Sequence, residues 1–277
     1  NVGMLKGWSS TYQETGNNLH HDFNNNHCRK KYKTLAEEFY STSASPVVTP
    51  ANFPMFMAIH RRWSDLTGRK LKWNFWELCS GTARTSRIAW QRSLSTGFPV
   101  DARHGWNLRA QYHRKMLVEV GAFFEPDFVL AAPQCTMWSR AANRKEPAEK
   151  EKARLGEQST LTWLAQWMTW QGQVDRFYLV ENPVGSAIFT HSPLASTCGE
   201  FDNKMKTTAQ CAFGATHPET HEPVRKLTAW LTNLPLRKLP RPCTCAVPHG
   251  RRQGTVPGGM AATTRAEVYP KALAQAI

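Results

Sequence analysis

Four short apolar runs, each closing on a carboxylate or a thiol, constrain this chain more than any other feature. They are Trp73-Asn-Phe-Trp-Glu77, Gly97-Phe-Pro-Val-Asp101, Phe128-Val-Leu130 leading to Pro133-Gln-Cys135, and Val174 to Val180 followed by Glu181-Asn182-Pro183. Runs of this length and composition read as buried strands. Helical patterns separate them: Arg84 to Arg92, a helix opened by Gly105-Trp106-Asn107-Leu108 with Asn107 as its cap, and the stripe Leu161, Leu164, Trp167, Met168. The resulting order, strand-turn-helix-strand-helix-strand, predicts an α/β fold built on a parallel sheet. Open sheets of that class bind ligands beyond the carboxyl ends of their strands. The residues closing the four runs are therefore the candidates for chemistry.

Cys135 is the candidate nucleophile, held on a loop with little side-chain bulk around it. A lone cysteine after a strand is more often a small buried hydrophobe, so its reading depends on its company. Glu77 enters a Ser-Gly turn (Ser80, Gly81) of the kind that lets backbone N–H groups approach a ligand. Asp101 suits either a ribose contact or a simple loop cap. Glu181, followed by a proline that stiffens its exit, suits general acid work.

The 277 residues carry a net charge of +14, which calls for an acidic partner, with nucleic acid ahead of an anionic membrane surface. No apolar run approaches the ~18 residues of a membrane span. Seven irregularly spaced cysteines argue against a disulfide framework and for a reducing compartment. The chain opens on Asn1 and reads as a piece of something longer. Residues 1–50 form a polar and basic appendage closed by a Ser/Thr/Pro linker; His20, His21, His27 and Cys28 there match no zinc spacing and read as solvated surface. Asn52 to Leu66 forms an amphipathic helix at the start of a core that runs from 51 to 234. Arg140 to Arg154 is either a loop over the site that contacts phosphate or a solvated helix face.

Taken together, Glu77-Leu78-Cys79-Ser80-Gly81, Pro133-Gln-Cys135-Thr-Met-Trp-Ser139 and Val180-Glu181-Asn182-Pro183 resemble, in order and approximate spacing, the cytosine-C5 DNA methyltransferase family. The likeness covers roughly residues 72–233 and is nearest to the compact variety of phages and mobile elements, with Cys211-Ala-Phe-Gly214 and Arg225-Lys-Leu-Thr228 as further points of similarity. It implies a Rossmann-like S-adenosylmethionine-dependent methyltransferase sheet with flanking helices. It further implies Cys135 as nucleophile, Glu181 as proton donor, and Arg225 at the cytosine O2. The cofactor S-adenosylmethionine, leaving as S-adenosylhomocysteine, would be held by Glu77, Leu78, Cys79, Ser80, Gly81 and Thr82, with Asp101 at the ribose and Asn107 and Pro133 nearby. The implied partner is double-stranded DNA, bound by a monomer in the nucleus or another reducing compartment that contains DNA; membership of a longer polyprotein stays open. Residues 263–277 resemble the family's closing helix.

Gln134 stands where the family has a second proline, Thr136 where it has Gln, and Pro183 where it has Val. Two other functions stay open: a catalytically silent nucleic-acid-binding module, and an RNA cytosine methyltransferase. Residues 235–262 form a small basic recognition region. Within it Cys243, Cys245 and His249 invite a zinc reading that would need a fourth ligand from elsewhere; a phosphate-contacting loop is simpler, and no metal site is assigned.

Overall fold

The computed structural model describes residues 48–139, 142, 145–199, 204–217, 220–250 and 268–277. Its centre is one mixed sheet of β1 (Phe75–Leu78), β2 (Phe128–Ala131), β3 (Phe177–Pro183), β4 (Lys204–Ala209) and β5 (Leu227–Thr232), in the spatial order β1-β2-β3-β5-β4. The first three strands are parallel, in register through Phe75↔Phe128 and Phe128↔Phe177. The expected parallel sheet is corrected at its far side, where β5 runs antiparallel to both β3 and β4. A parallel return needs a crossover, usually a helix; between β4 and β5 the described residues form a three-ten turn, Gln210–Phe213, and a bridge, Thr216↔Pro223.

The expected second strand, Gly97 to Asp101, is also corrected. Thr96–Val100 lies beside β1 through two isolated bridges, Phe75↔Thr96 and Leu78↔Val100, and not through a ladder. Pro99 has no N–H to donate. Gly97 donates to Phe75 O at 2.8 Å, and a Cβ there would stand 2.5 Å from the Trp73 ring, so only glycine permits this approach. The strand of the fourth apolar run, β3, begins at Phe177, three residues later than the run suggests.

Successive side chains of a strand point to opposite faces, and the sheet is buried on both. On one face Phe75, Leu130, Leu179 and Trp230 pack with Ile88 and Ala89 of α2 (Arg84–Gln91) and with Tyr269, Leu273 and Ala274 at the C-terminus. On the other, Trp76 meets Trp167 edge-on at 5.6 Å, placing α4 (Pro147–Gln173) against it. The stripe Leu161, Leu164, Trp167, Met168 is core, as its spacing predicts. Gly121 on α3 (Gln111–Phe124) lets the two helices touch, since a Cβ there would meet the Trp167 ring at 1.9 Å. Helices on both sheet faces give an α/β architecture compatible with a Rossmann-like fold.

Thr96–Val100 flanks β1 on one side and β2 on the other, so the direction of chain progression reverses between β1 and β2. Such a switch point opens a crevice at the carboxyl ends of the two strands.

Val47–Pro54 and Lys70–Ile277 form one compact unit; Met55–Arg69 falls outside it. Residues 235–250 and the C-terminal helix α5 (Lys271–Ala276) fall in the same compact unit as the sheet. Val48 is tied in by Trp106 Nε1, which donates to its carbonyl at 2.7 Å. The helix expected from Asn52 is present as α1 (Phe53–Thr67), where the His60 ring bonds Phe56 O at 2.7 Å. No helix among the described residues is long and apolar enough to cross a membrane. The expectations for residues 1–47, for Arg140 and for residues 251–267 lie outside the described residues.

Candidate active site

The turn after β1 is built on strained backbone. Cys79, Gly81 and Ala83 all have positive φ, at 54°, 54° and 53°. For the two non-glycine residues this costs on the order of 1–3 kcal/mol each, a strain that collects at ligand clamps. Nothing lies within 4 Å of where a Gly81 Cβ would be, so the turn faces open space. Asp101 holds it from beneath: Oδ2 accepts from Gly81 N at 2.9 Å and Oδ1 from Arg103 N at 3.0 Å. Asp101 is therefore a cap, each oxygen keeping a second lone pair for a hydroxyl. Glu77, 3% exposed, accepts from Ser86 N at 2.9 Å and Ser86 Oγ at 2.5 Å inside the first turn of α2. Burial outweighs these bonds and pushes its carboxyl up to about 7. The Cys79 thiol is pushed up to about 12, first by burial and then by the Asp101 and Glu157 carboxylates. Leu78 is core, Thr82 is exposed, and the buried Ser80 Oγ has no hydrogen-bond partner.

Asn107 needs correction as a helix cap. Helix α3 starts at Gln111, and Asn107 Oδ1 accepts from Arg109 N at 3.0 Å in the exposed turn before it. Asparagine side chains readily close such turns on their own backbone.

Cys135, half-buried, lies on the loop leaving β2. The loop is wound tightly behind it, Trp138 N and Ser139 N both donating to Cys135 O at 3.0 and 2.8 Å. Trp138 then anchors it from three sides. Its indole donates to the buried Glu157 at 2.6 Å, Arg154 stacks over its ring at 4.8 Å, and its carbonyl accepts from Ala187 N at 2.8 Å. Arg154 also donates to Met137 O at 2.9 Å, so this end of the charged segment grips the cysteine loop, where the sequence offered phosphate contact or a solvated face. The two departures from the family pattern bond each other: Gln134 Nε2 donates to Thr136 Oγ1 at 3.1 Å.

Glu181 and Asn182 end β3, beside that loop, and Asn182 Nδ2 donates to Pro133 O at 2.9 Å. Glu181 is 6% exposed; its Oε1 makes no hydrogen bond, and Lys226 Nζ stands 3.7 Å from it. Arg225, the expected cation, is exposed, and its charge bears on Cys243. Sequence reasoning missed Lys226, which neighbours Arg225 but reaches Glu181 because β5 returns antiparallel to β3. It also missed Tyr269. That buried hydroxyl is held well above its usual pKa by burial and by the Glu181 and Glu77 carboxylates. Glu77 and Glu181 share the sheet face that the C-terminal segment covers.

A second cluster lies at the same sheet edge. Cys211, Cys243, Cys245 and His249 bring one ligand atom each to within 4.8 Å of all the others. Cys211 on the three-ten turn after β4 supplies what the other three lacked in the sequence.

No protein-family model and no curated protein matches this chain.

Proposed function

We propose that the chain is an S-adenosylmethionine-dependent DNA cytosine-C5 methyltransferase. The observation that carries this reading is the placement of the open Gly81 turn, the Cys135 loop and the buried Glu181 at the carboxyl ends of the adjacent parallel strands β1, β2 and β3. At the first of these the buried Ser80 Oγ has no hydrogen-bond partner; buried polar atoms are nearly always paired, so it points to a polar ligand.

The residues fit the cofactor. The Gly81 turn is open on the side where a Cβ would project, Ser80 Oγ lacks a partner, and the Asp101 carboxylate keeps spare lone pairs. Glu77, Leu78, Cys79, Ser80, Gly81 and Thr82 would hold the amino-acid end and Asp101 the ribose. When bound, the cofactor supplies an electrophilic methyl group. The chain's own residues prepare the acceptor. Cys135, as thiolate, adds to C6 of a cytosine and makes C5 nucleophilic. Glu181 holds N3 and carries the proton that stabilises the developing enamine, with Lys226 alongside to balance its charge. A base then takes the C5 proton, and the thiolate leaves as the C5–C6 double bond re-forms. Stacked bases hide C6, so the base is flipped at a cost of a few kcal/mol, which the +14 net charge helps to offset through phosphate contacts.

The silent-module reading rests on Gln134, which spends its side chain on Thr136 where the family has a stiffening proline. Transfer of labelled methyl to double-stranded DNA, run beside Cys135→Ala, decides between them. Label on cytosine C5 that disappears in the variant supports the enzyme. DNA and cofactor binding without transfer, and without a trapped adduct to fluorinated cytosine, supports the silent module. Transfer to RNA in preference to DNA would reassign the substrate.

A further inference from the structure

We infer that Cys211, Cys243, Cys245 and His249 form a structural zinc site that clamps the 243–249 loop to the sheet edge. Three thiols and one imidazole are a soft, tetrahedral donor set of the Cys3His kind, and four protein ligands leave no open position for chemistry. Cys211, Cys243 and Cys245 are unbridged, so each thiol is available as a ligand.

The geometry is already close. Cys243 Sγ and His249 Nε2 are 3.2 Å apart, and all four ligand atoms lie within 4.8 Å of one another. Bonds of ~2.3 Å to sulfur and ~2.0 Å to nitrogen set the edges of such a tetrahedron at about 3.5 to 3.8 Å. The cluster closes around an ion by movements of about an ångström. Binding releases the three thiol protons to solvent and takes the imidazole as its neutral form.

The neighbouring contacts say what the clamp holds. Cys211 sits next to Gln210, whose N–H donates to Lys226 O at 2.9 Å. The 235–250 segment runs back along β4, with Ala209 N donating to Arg241 O at 2.8 Å and the Arg241 guanidinium 4.7 Å from the centroid of the Phe213 ring. Among the described residues this segment has no helix or strand of its own. A metal bond to a buried cysteine on the turn that leaves β4 is what fixes a chain of this kind. The ion thus steadies the segment carrying Arg237, Lys238 and Arg241 beside Lys226, the residue that neighbours Glu181. The site stands whether or not the chain transfers methyl groups.

The test is elemental analysis of the reduced, gel-filtered protein after supply of zinc, paired with cobalt substitution. One zinc per chain is expected, with the intense visible bands of tetrahedral thiolate-bound cobalt. Cys211→Ser and His249→Ala should weaken zinc binding by more than about 100-fold, the upper end of what losing even a supporting partner of a ligand costs. Cys135→Ala and Cys28→Ser should keep the ion, and His249→Cys should keep it with the cobalt spectrum of a four-thiolate site. Cobalt binding to the unaltered protein needs no variant to fold. Zinc-free protein without those bands overturns the inference, and so does zinc that survives Cys211→Ser but leaves with Cys28→Ser.

Discussion

Glu77 makes a pH-dependent stability prediction that can be worked from the structure. Its folded-state pKa is raised from 4.5 to about 7, so the folded protein holds the carboxyl proton more tightly than the unfolded chain does. The stabilisation this gives is complete below the unfolded value and is lost as pH rises through the folded one. At 1.36 kcal/mol per pKa unit the full effect is about 3.4 kcal/mol, of which about 2.5 kcal/mol falls between pH ~5 and pH ~8.5. Glu77→Gln keeps an acceptor for Ser86 N and an amide that can donate to Ser86 Oγ, and it removes the titration. Urea unfolding of both proteins across that range isolates the residue, because every other group cancels in the difference. The variant should gain about 2.5 kcal/mol on the parent between the two ends. Parallel pH profiles would show that Glu77 ionises in the fold without penalty and would refute the reasoning. Under the proposed function the ionised form is the one that would hold the cofactor's ammonium group, so S-adenosylhomocysteine should bind more tightly as pH rises through about 7.

Gly81→Ala places a methyl in the open space of the turn at a backbone cost of about 1–3 kcal/mol, because the position has positive φ; denaturant unfolding should show a loss of that size, and calorimetry should show weakened cofactor binding. Gly121→Ala drives a Cβ into the Trp167 ring and should lower stability by about 1–3 kcal/mol, measured by denaturant midpoint, without altering ligand affinity. Trp138→Phe leaves the buried Glu157 without its 2.6 Å donor and should cost about 1–3 kcal/mol together with a fall in kcat for methyl transfer. Glu181→Gln should reduce methyl transfer by about 10²- to 10⁴-fold while DNA binding persists, and Lys226→Met by a smaller factor. Chelation should lower the melting temperature and open the 235–250 segment to protease, with zinc restoring both.

What could be read from the sequence follows from how local each signal is. The strands of Glu77, Cys135 and Glu181 each occupy a handful of residues with their own apolar pattern and turn chemistry, and the structure brings their ends to one sheet edge. Thr96–Val100 has the same pattern, but Pro99 denies it the ladder, a penalty that hydrophobicity does not reveal. The helix stripe on α4 was legible because Leu161, Leu164, Trp167 and Met168 recur at helical spacing. That Arg154 and Glu157 on the same helix would secure Trp138 was not, because nothing in a run of charged residues states which of them turns inward.

Lys226 and Cys211 escaped the sequence for one cause, the reversed strand. Because β5 descends between β3 and β4, its first residues meet the last residues of both neighbours: Val184 N donates to Leu227 O at 3.0 Å and Gln210 N to Lys226 O at 2.9 Å. Lys226 thereby reaches Glu181 across some 45 residues of chain, and Cys211 is set beside a loop that begins 32 residues later. The same reversal couples the two clusters. Loosening Cys211 slackens Gln210, Gln210 carries the backbone of Lys226, and Lys226 stands 3.7 Å from the carboxylate at the centre of the proposed chemistry. Zinc removal should therefore depress methyl transfer in a protein whose sheet is still folded, and Lys226→Met should make transfer insensitive to the metal. A loss of transfer on chelation that is equally large in Lys226→Met would mean that the ion acts by another route, such as the basic segment's hold on DNA.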